Sequence, residues 1–146
     1  MVLKIAIASD HAGFEYKKLL QDTFRGSHEI EWLDLGTDTN ESVDYPDFGR
    51  KLATAVENKL ADFGVAICGS GVGISIAVNR NKHARCVLCN DETTARLARQ
   101  HNDANVIAFG ARLIGEETMR GCLKVFLDTK FEGGRHGSRV DKLSNC

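Results

Sequence analysis

The residues with the most chemical promise gather at Cys68. There a buried-looking run, Gly64 to Cys68 (GVAIC), passes straight into Gly69-Ser70-Gly71-Val72-Gly73. Alternating glycines after a strand permit close backbone approach and a nest of N–H groups at a helix start, which suits an anion. No Gly-Lys-Ser/Thr follows, so the turn is not a P-loop. Its GxGxG spacing, after the third strand rather than the first, is not the dinucleotide fingerprint either. A tight strand-to-helix turn without ligand is the alternative. A thiolate at a helix start is stabilised by the dipole and by backbone donors, and can act as nucleophile or general base. A free cysteine there can equally be a small buried residue. A cysteine-based phosphatase would need an Arg in the cradle, and none follows Cys68.

Other groups offer less. Asp10-His11 follows the first apolar run, where Asp10 can cap a helix and His11 can face solvent or a ligand. Arg135 and Arg139 stand four apart around His136, so a helix would set both guanidinium groups on one face. Such a pair suits a phosphate, or is a solvated basic turn. Cys86 and Cys89 form a lone CxxC, but residues three apart in a strand point to opposite faces and cannot chelate one ion. Cys122 lies on an apolar helix stripe and Cys146 is terminal. His11, His101, Cys68 and Asp10 match no metal-ligand spacing, so neither metal nor cofactor is expected.

The elements that must position these groups follow from hydrophobic patterning. Strands are expected at Leu3–Ser9, Glu29–Leu35, Gly64–Cys68, Ala84–Leu88 and Asn105–Phe109. Helices are expected over Gly13–Phe24, from Asp47 through a Phe48, Leu52, Val56, Leu60 stripe, from Ile74 to Asn79 and over Glu92–Gln100. Another carries Met119, Cys122, Leu123 and Phe126, and a short one follows Gly133-Gly134. Strand and helix alternate five times, which implies a Rossmann-like, doubly wound, five-stranded parallel sheet in three α/β/α layers, with a C-terminal helical tail. Ligands of such sheets bind beyond the carboxyl ends of the strands, which selects Asp10-His11, Cys68–Gly73, Asn90-Asp91 and Gly110–Arg112. His101-Asn102-Asp103 precedes the fifth strand and should lie at the opposite edge, as a structural helix end or as part of a site completed by a second subunit.

Composition bounds the partners. The 146 residues suit a single domain, and 19 basic against 20 acidic residues leave a formal charge of -1. That balance gives no global footprint for nucleic acid or an anionic membrane, so any anion site must be local. Five cysteines without paired spacing argue against a disulfide framework, and no run approaches a signal peptide or membrane span. The expectation is a cytoplasmic protein.

Five segments in order resemble the type B ribose-5-phosphate isomerases, in the family that also holds the galactose-6-phosphate isomerase subunits. They are Ile5 to Phe14 (IAIASDHAGF), Asp44-Tyr45-Pro46, Ile67 to Ala77 (ICGSGVGISIA), Arg99 to Gly110 (RQHNDANVIAFG) and Phe131 to Arg139 (FEGGRHGSR). The resemblance implies metal-free aldose–ketose isomerisation of ribose 5-phosphate through an enediolate, in the non-oxidative pentose phosphate pathway. Cys68 matches the general base, and the N–H groups of Gly69, Gly71 and Gly73 the oxyanion site. Ser70 stands where members often have Thr and keeps the hydroxyl. His101 matches the ring-opening histidine, with Asp10 as its acid–base partner. Asn102 matches a residue on the reacting oxygens and Tyr45 a sugar contact; His11, Arg112, Arg135 and Arg139 match the phosphate set. The resemblance also implies a homodimer, or a dimer of dimers, with sites built from two subunits. A six-carbon 6-phosphate substrate and a non-catalytic sugar-phosphate sensor are the alternatives; a nicotinamide oxidoreductase lacks its fingerprint.

Overall fold

The computed structural model describes all 146 residues. Its strands are β1 (Val2–Ser9), β2 (Glu29–Asp34), β3 (Phe63–Cys68), β4 (Cys86–Leu88) and β5 (Val106–Gly110). Its helices are α1 (Phe14–Thr23), α2 (Tyr45–Glu57), α3 (Val72–Asn79), α4 (Glu92–Asn102), α5 (Glu116–Asp128) and α6 (Arg135–Leu143). The sheet runs β2-β1-β3-β5-β4 and every pairing is parallel. This is the doubly wound α/β/α arrangement expected from the alternation, with a helical tail. The chain reverses its winding direction between β1 and β3, so their carboxyl ends flank the crevice that this topology offers a ligand.

The two faces of the sheet are packed differently. One face carries Leu3, Ile5, Ile7, Val65, Ile67, Ile107 and Phe109 against α1, α4 and α5, whose buried stripes include Leu20, Phe24, Met119, Leu123 and Phe126. The other carries Ala6, Ala8, Ala66, Cys68, Val106 and Ala108 against α2 and α3. Alternation along each strand sorts the side chains in this way. The small second set lets the helices come close: a Cβ added to Gly49 of α2 would lie 2.9 Å from the Ala77 Cβ of α3.

Several boundaries depart from expectation for local reasons. α2 begins at Tyr45 because Pro46 is tolerated in a first turn, where its missing N–H is not needed. The same helix stops at Glu57, so Leu60 falls outside the stripe and is 55 % exposed. β4 loses Ala84 and Arg85, because side-chain amides hold the chain there: Asn105 accepts from the Arg85 N–H at 2.7 Å, and Asn79 from the Cys86 N–H at 2.8 Å. Asp10 does not cap α1. Its Oδ1 accepts from the Gly13 N–H at 3.1 Å, closing the turn before the helix, and Gly13 takes the cap position.

Candidate active site

Cys68 is the last residue of β3 and is 4 % exposed, on the face covered by α2 and α3. The chain then turns through Gly69 and Ser70 into α3. Gly71 caps that helix at φ +77°, and its N–H donates to Cys68 Sγ at 3.2 Å. A Cβ at Gly71 would meet Leu88 Cδ1 at 2.5 Å and the Phe109 carbonyl carbon at 2.8 Å, so both the φ and the space require glycine. Ser70 Oγ accepts from the Val72 N–H at 3.1 Å, which leaves its hydroxyl proton free to donate.

The end of β5 braces the turn from below. The Ala111 N–H donates to the Cys68 carbonyl and the Arg112 N–H to the Gly69 carbonyl, both at 2.9 Å. Gly110 packs directly on the Ser70 backbone. The Arg112 guanidinium lies over Gly69, where an added Cβ would be 3.0 Å from Nη1. The Arg112 guanidinium thus lies against the same glycine turn whose backbone N–H groups open α3, an arrangement of the kind that suits an anion.

The neighbouring turn after β1 completes this edge. The Asp10 N–H donates to the Ile67 carbonyl at 3.2 Å, so its buried carboxyl stands beside the Cys68 turn. His11 Nδ1 accepts from the Val43 N–H at 3.2 Å, which leaves Nε2 as the ring's free nitrogen. The Tyr45 ring, at the start of α2, packs on Gly73, where a Cβ would meet Cε1 at 2.6 Å. A groove of about 490 Å³ opens there between α2 and α3, lined by Tyr45, Arg50, Gly73, Ile76 and Arg80. Asp10, Cys68, Ser70, the glycine turn, Tyr45, His11 and Arg112 therefore cluster at the carboxyl edge.

His101, Asn102, Arg135 and Arg139 do not join them. α4 carries His101 and Asn102 at its end, just before β5 begins, at the amino edge. α6 packs on α4 and holds Arg135 and Arg139 exposed. Both guanidinium groups do lie on a helix, four residues apart, but one chain does not bring them to Arg112. The residues expected to hold a phosphate are split between the two edges.

Two devices escaped the sequence reading. Asp103 takes φ +46° at the end of α4, where Arg99 and Arg85 hold its carboxylate at 2.9 and 3.3 Å. Arg99 is itself buried, with its guanidinium over the Phe63 and Phe126 rings, so the turn bearing His101 is firmly seated. Lys17 of α1 is also buried and reaches both Asp34 carboxylate oxygens, at 2.8 and 2.7 Å, tying α1 to the end of β2. Lys17 and Asp34 have no sequence signature, being 17 residues apart, whereas Arg99 and Asp103 stand four apart, the spacing of a helical ion pair. His136 lies between the two arginines of α6. It is buried and stacks on His101 at 4.5 Å. Burial, followed by the charges of His101, Arg135 and Arg139, lowers its pKa against the opposing pull of Glu132.

Of the remaining cysteines, Cys86, Cys89 and Cys122 pack in the two cores and Cys146 is exposed. Cys86 packs on the Cys68 face, where burial pushes its thiol up, and Cys89 lies among the opposite core with Cys122. The CxxC pair therefore does point to opposite faces. No helix is long and apolar enough to cross a membrane.

Comparison with known proteins agrees with this fold. The model of the Ribose/Galactose Isomerase family matches residues 5–143. Ribose-5-phosphate isomerase B of Escherichia coli is 41 % identical over 143 residues, covering 97 % of this chain and 94 % of its own. Among solved structures, the Thermotoga maritima ribose 5-phosphate isomerase superposes with a TM-score of 0.89 at 44 % identity, covering 99 % of both chains. The Trypanosoma brucei type B enzyme gives 0.93 at 39 % identity, again over 99 % of both chains.

Proposed function

The chain belongs to the ribose/galactose isomerase family, and on that premise we propose that it interconverts ribose 5-phosphate and ribulose 5-phosphate with Cys68 as general base. The observation that carries this reading is the Gly71 N–H on Cys68 Sγ, at the mouth of a glycine turn that already holds a cation. A proton next to a carbonyl is weakly acidic, so a base needs a partner that stabilises negative oxygen as it develops. The Cys68 thiolate takes the proton from C2 of the opened aldose. The turn's N–H groups and the Ser70 hydroxyl hold the enediolate, and the same thiol returns the proton to C1 while the hydroxyl proton moves between the two oxygens. Tyr45 lines the sugar groove.

His101 and Asp10 open the furanose ring, Asn102 holds the reacting oxygens, and His11, Arg112, Arg135 and Arg139 hold the phosphate. Phosphate binding remote from the reaction positions C1 and C2 against the thiolate. The split between the two sheet edges supports a homodimer in which one chain supplies Cys68 and its partner His101. A surface for such pairing adjoins the turn: Val72 and Ile76 of α3 are apolar yet 45 % and 51 % exposed.

The test is Cys68→Ala, assayed on ribose 5-phosphate and on allose and galactose 6-phosphates, with chelator present. Loss of a general base should remove at least about 10²–10⁴ in turnover. Binding of a phosphorylated sugar should survive. Near-normal turnover in the variant would remove Cys68 from the mechanism, and preference for a six-carbon sugar would change the substrate but not the chemistry.

A further inference from the structure

At the amino edge the His101 ring lies against a neighbour to which the proposed reaction gives no part. His101 and His136 stack face to face, with centroids 4.5 Å apart and planes 14° from parallel. The rings come from different elements, the end of α4 and the first turn of α6. Backbone contacts set their register. The Glu132 N–H donates to the Gln100 carbonyl at 3.1 Å, one residue before His101, and the His136 N–H donates to the Gly133 carbonyl at 3.1 Å. His136 is buried, as is Val140 one turn later, whereas Arg135 and Arg139 are exposed. α6 therefore turns its histidine inward and its guanidinium groups outward.

A stack grips an imidazole by its face and leaves both nitrogens open at the edge, where a proton is passed. The grip depends on charge. His101 is a cation while it carries a transferred proton, and a second cation against its face would oppose that state. The charged and titratable groups facing His136 are His101 on α4, Glu132 in the preceding loop, and Arg135 and Arg139 on its own helix. Burial, then the charges of His101, Arg135 and Arg139, hold its pKa below the usual 6.5 against the pull of Glu132. The platform under His101 is thus a neutral ring near pH 7.

We propose that His136 is the positioning residue for His101, holding its imidazole at the angle that opening of the sugar ring requires. This role rests on the reading of His101 as the ring-opening group. His136 itself passes no proton.

The test compares two substrates. Ribose 5-phosphate must open its furanose before C2 can lose a proton, whereas 4-deoxyribose 5-phosphate lacks the ring oxygen and is always open. His136→Ala should lower kcat on ribose 5-phosphate at least about tenfold, part of the roughly 10²–10⁴-fold that a well-placed acid–base group contributes, with KM unchanged. On the 4-deoxy compound it should change kcat by less than about threefold, a small fraction of that contribution. His136→Leu fills the space without a flat face and should behave as His136→Ala does; it serves alone if the truncation unfolds α6. His136→Phe keeps a flat, uncharged ring and should restore most of the rate. His101→Ala on the same two compounds sets the scale. The His101 Hε1 resonance, shielded by the ring beside it, should move downfield in His136→Ala and His136→Leu but not in His136→Phe. Equal losses on both substrates, no loss on either, or a Phe variant as slow as the Leu variant would each overturn the proposal. His101→Ala slowed alike on both compounds defeats the ring-opening role of His101, and a parent inert on both defeats the isomerase reading. Either takes the proposal with it, and the resonance tells such a failure from a stack that does not form.

Discussion

Gly110→Ala probes the proposed mechanism through a contact rather than a functional group. A Cβ at this position would lie 2.4 Å from the Ser70 carbonyl oxygen and 2.5 Å from its carbon, against an ordinary contact near 3.4 Å. Both atoms are backbone, so no rotamer change relieves the clash. Either the glycine turn or the end of β5 must retreat by about 1 Å. A displacement of that size in a reacting site costs about 10²-fold in rate, or about 2.7 kcal/mol of barrier. Overpacking costs folding stability as well, about 1–3 kcal/mol, and each kcal/mol lowers the melting temperature of a chain this size by roughly 2–4 °C. The assay is kcat/KM on ribose 5-phosphate beside a calorimetric melting scan. Gly137→Ala, in open space within α6, calibrates the scan and should stabilise by about 0.5–1 kcal/mol. If Gly110→Ala keeps kcat/KM within about threefold of the parent, less than 1 kcal/mol of barrier, the turn is not held where catalysis needs it by this contact.

Two further perturbations bear on assembly and on the buried ion pair. Cys68→Ala and His101→Ala should each be inactive alone, but refolded together in equal amounts they should regain about a quarter of parental activity. Half the dimers are then mixed, and one of the two sites in each is intact; no recovery would refute a site shared between chains. Burial pushes the Asp34 carboxyl up, but the Lys17 ammonium and the Gly36 N–H outweigh it and hold the group below its usual 3.8. The stability it gives is therefore present above that value and lost as the pH falls through the lower, folded one. Asp34→Asn should cost about 2 kcal/mol at neutral pH, below the 3–5 of a fully buried pair because water reaches Asp34. That deficit should shrink in acid, and equal deficits by urea unfolding at pH 7 and pH 3 would contradict it.

The sheet was legible in the sequence because parallel strands buried on both faces are continuous apolar runs, and the turn at Cys68 because its glycines follow one of them. Cys86 and Cys89 could be assigned to opposite faces from strand periodicity alone. Boundaries were less legible wherever a side chain replaced a backbone partner, as Asn105 and Asn79 do around β4. Of the two roles open to Asp10, helix cap or group at the ligand edge, the three residues of turn before α1 remove the cap, and nothing in their types announces it. Lys17–Asp34 and the His101–His136 stack were invisible for one reason: each pairs residues whose neighbourhood exists only after folding. The separation of His101 from Cys68, by contrast, followed from chain order in a parallel sheet.

The alanine-lined face of the sheet has a consequence for how this protein tolerates change. Ala6, Ala8, Ala66 and Ala108 have almost no atoms to lose, and their side chains give up no rotamer freedom on folding. The opposite face, with Ile5, Ile7, Phe109 and Phe126, is open to the cavity-forming truncations that cost about 2–5 kcal/mol. Behind Cys68 the hazard runs the other way, since almost any replacement adds volume and pushes α2 and α3 off the sheet. A saturation scan should therefore divide by face: losses from shrinking on one, losses from growing on the other.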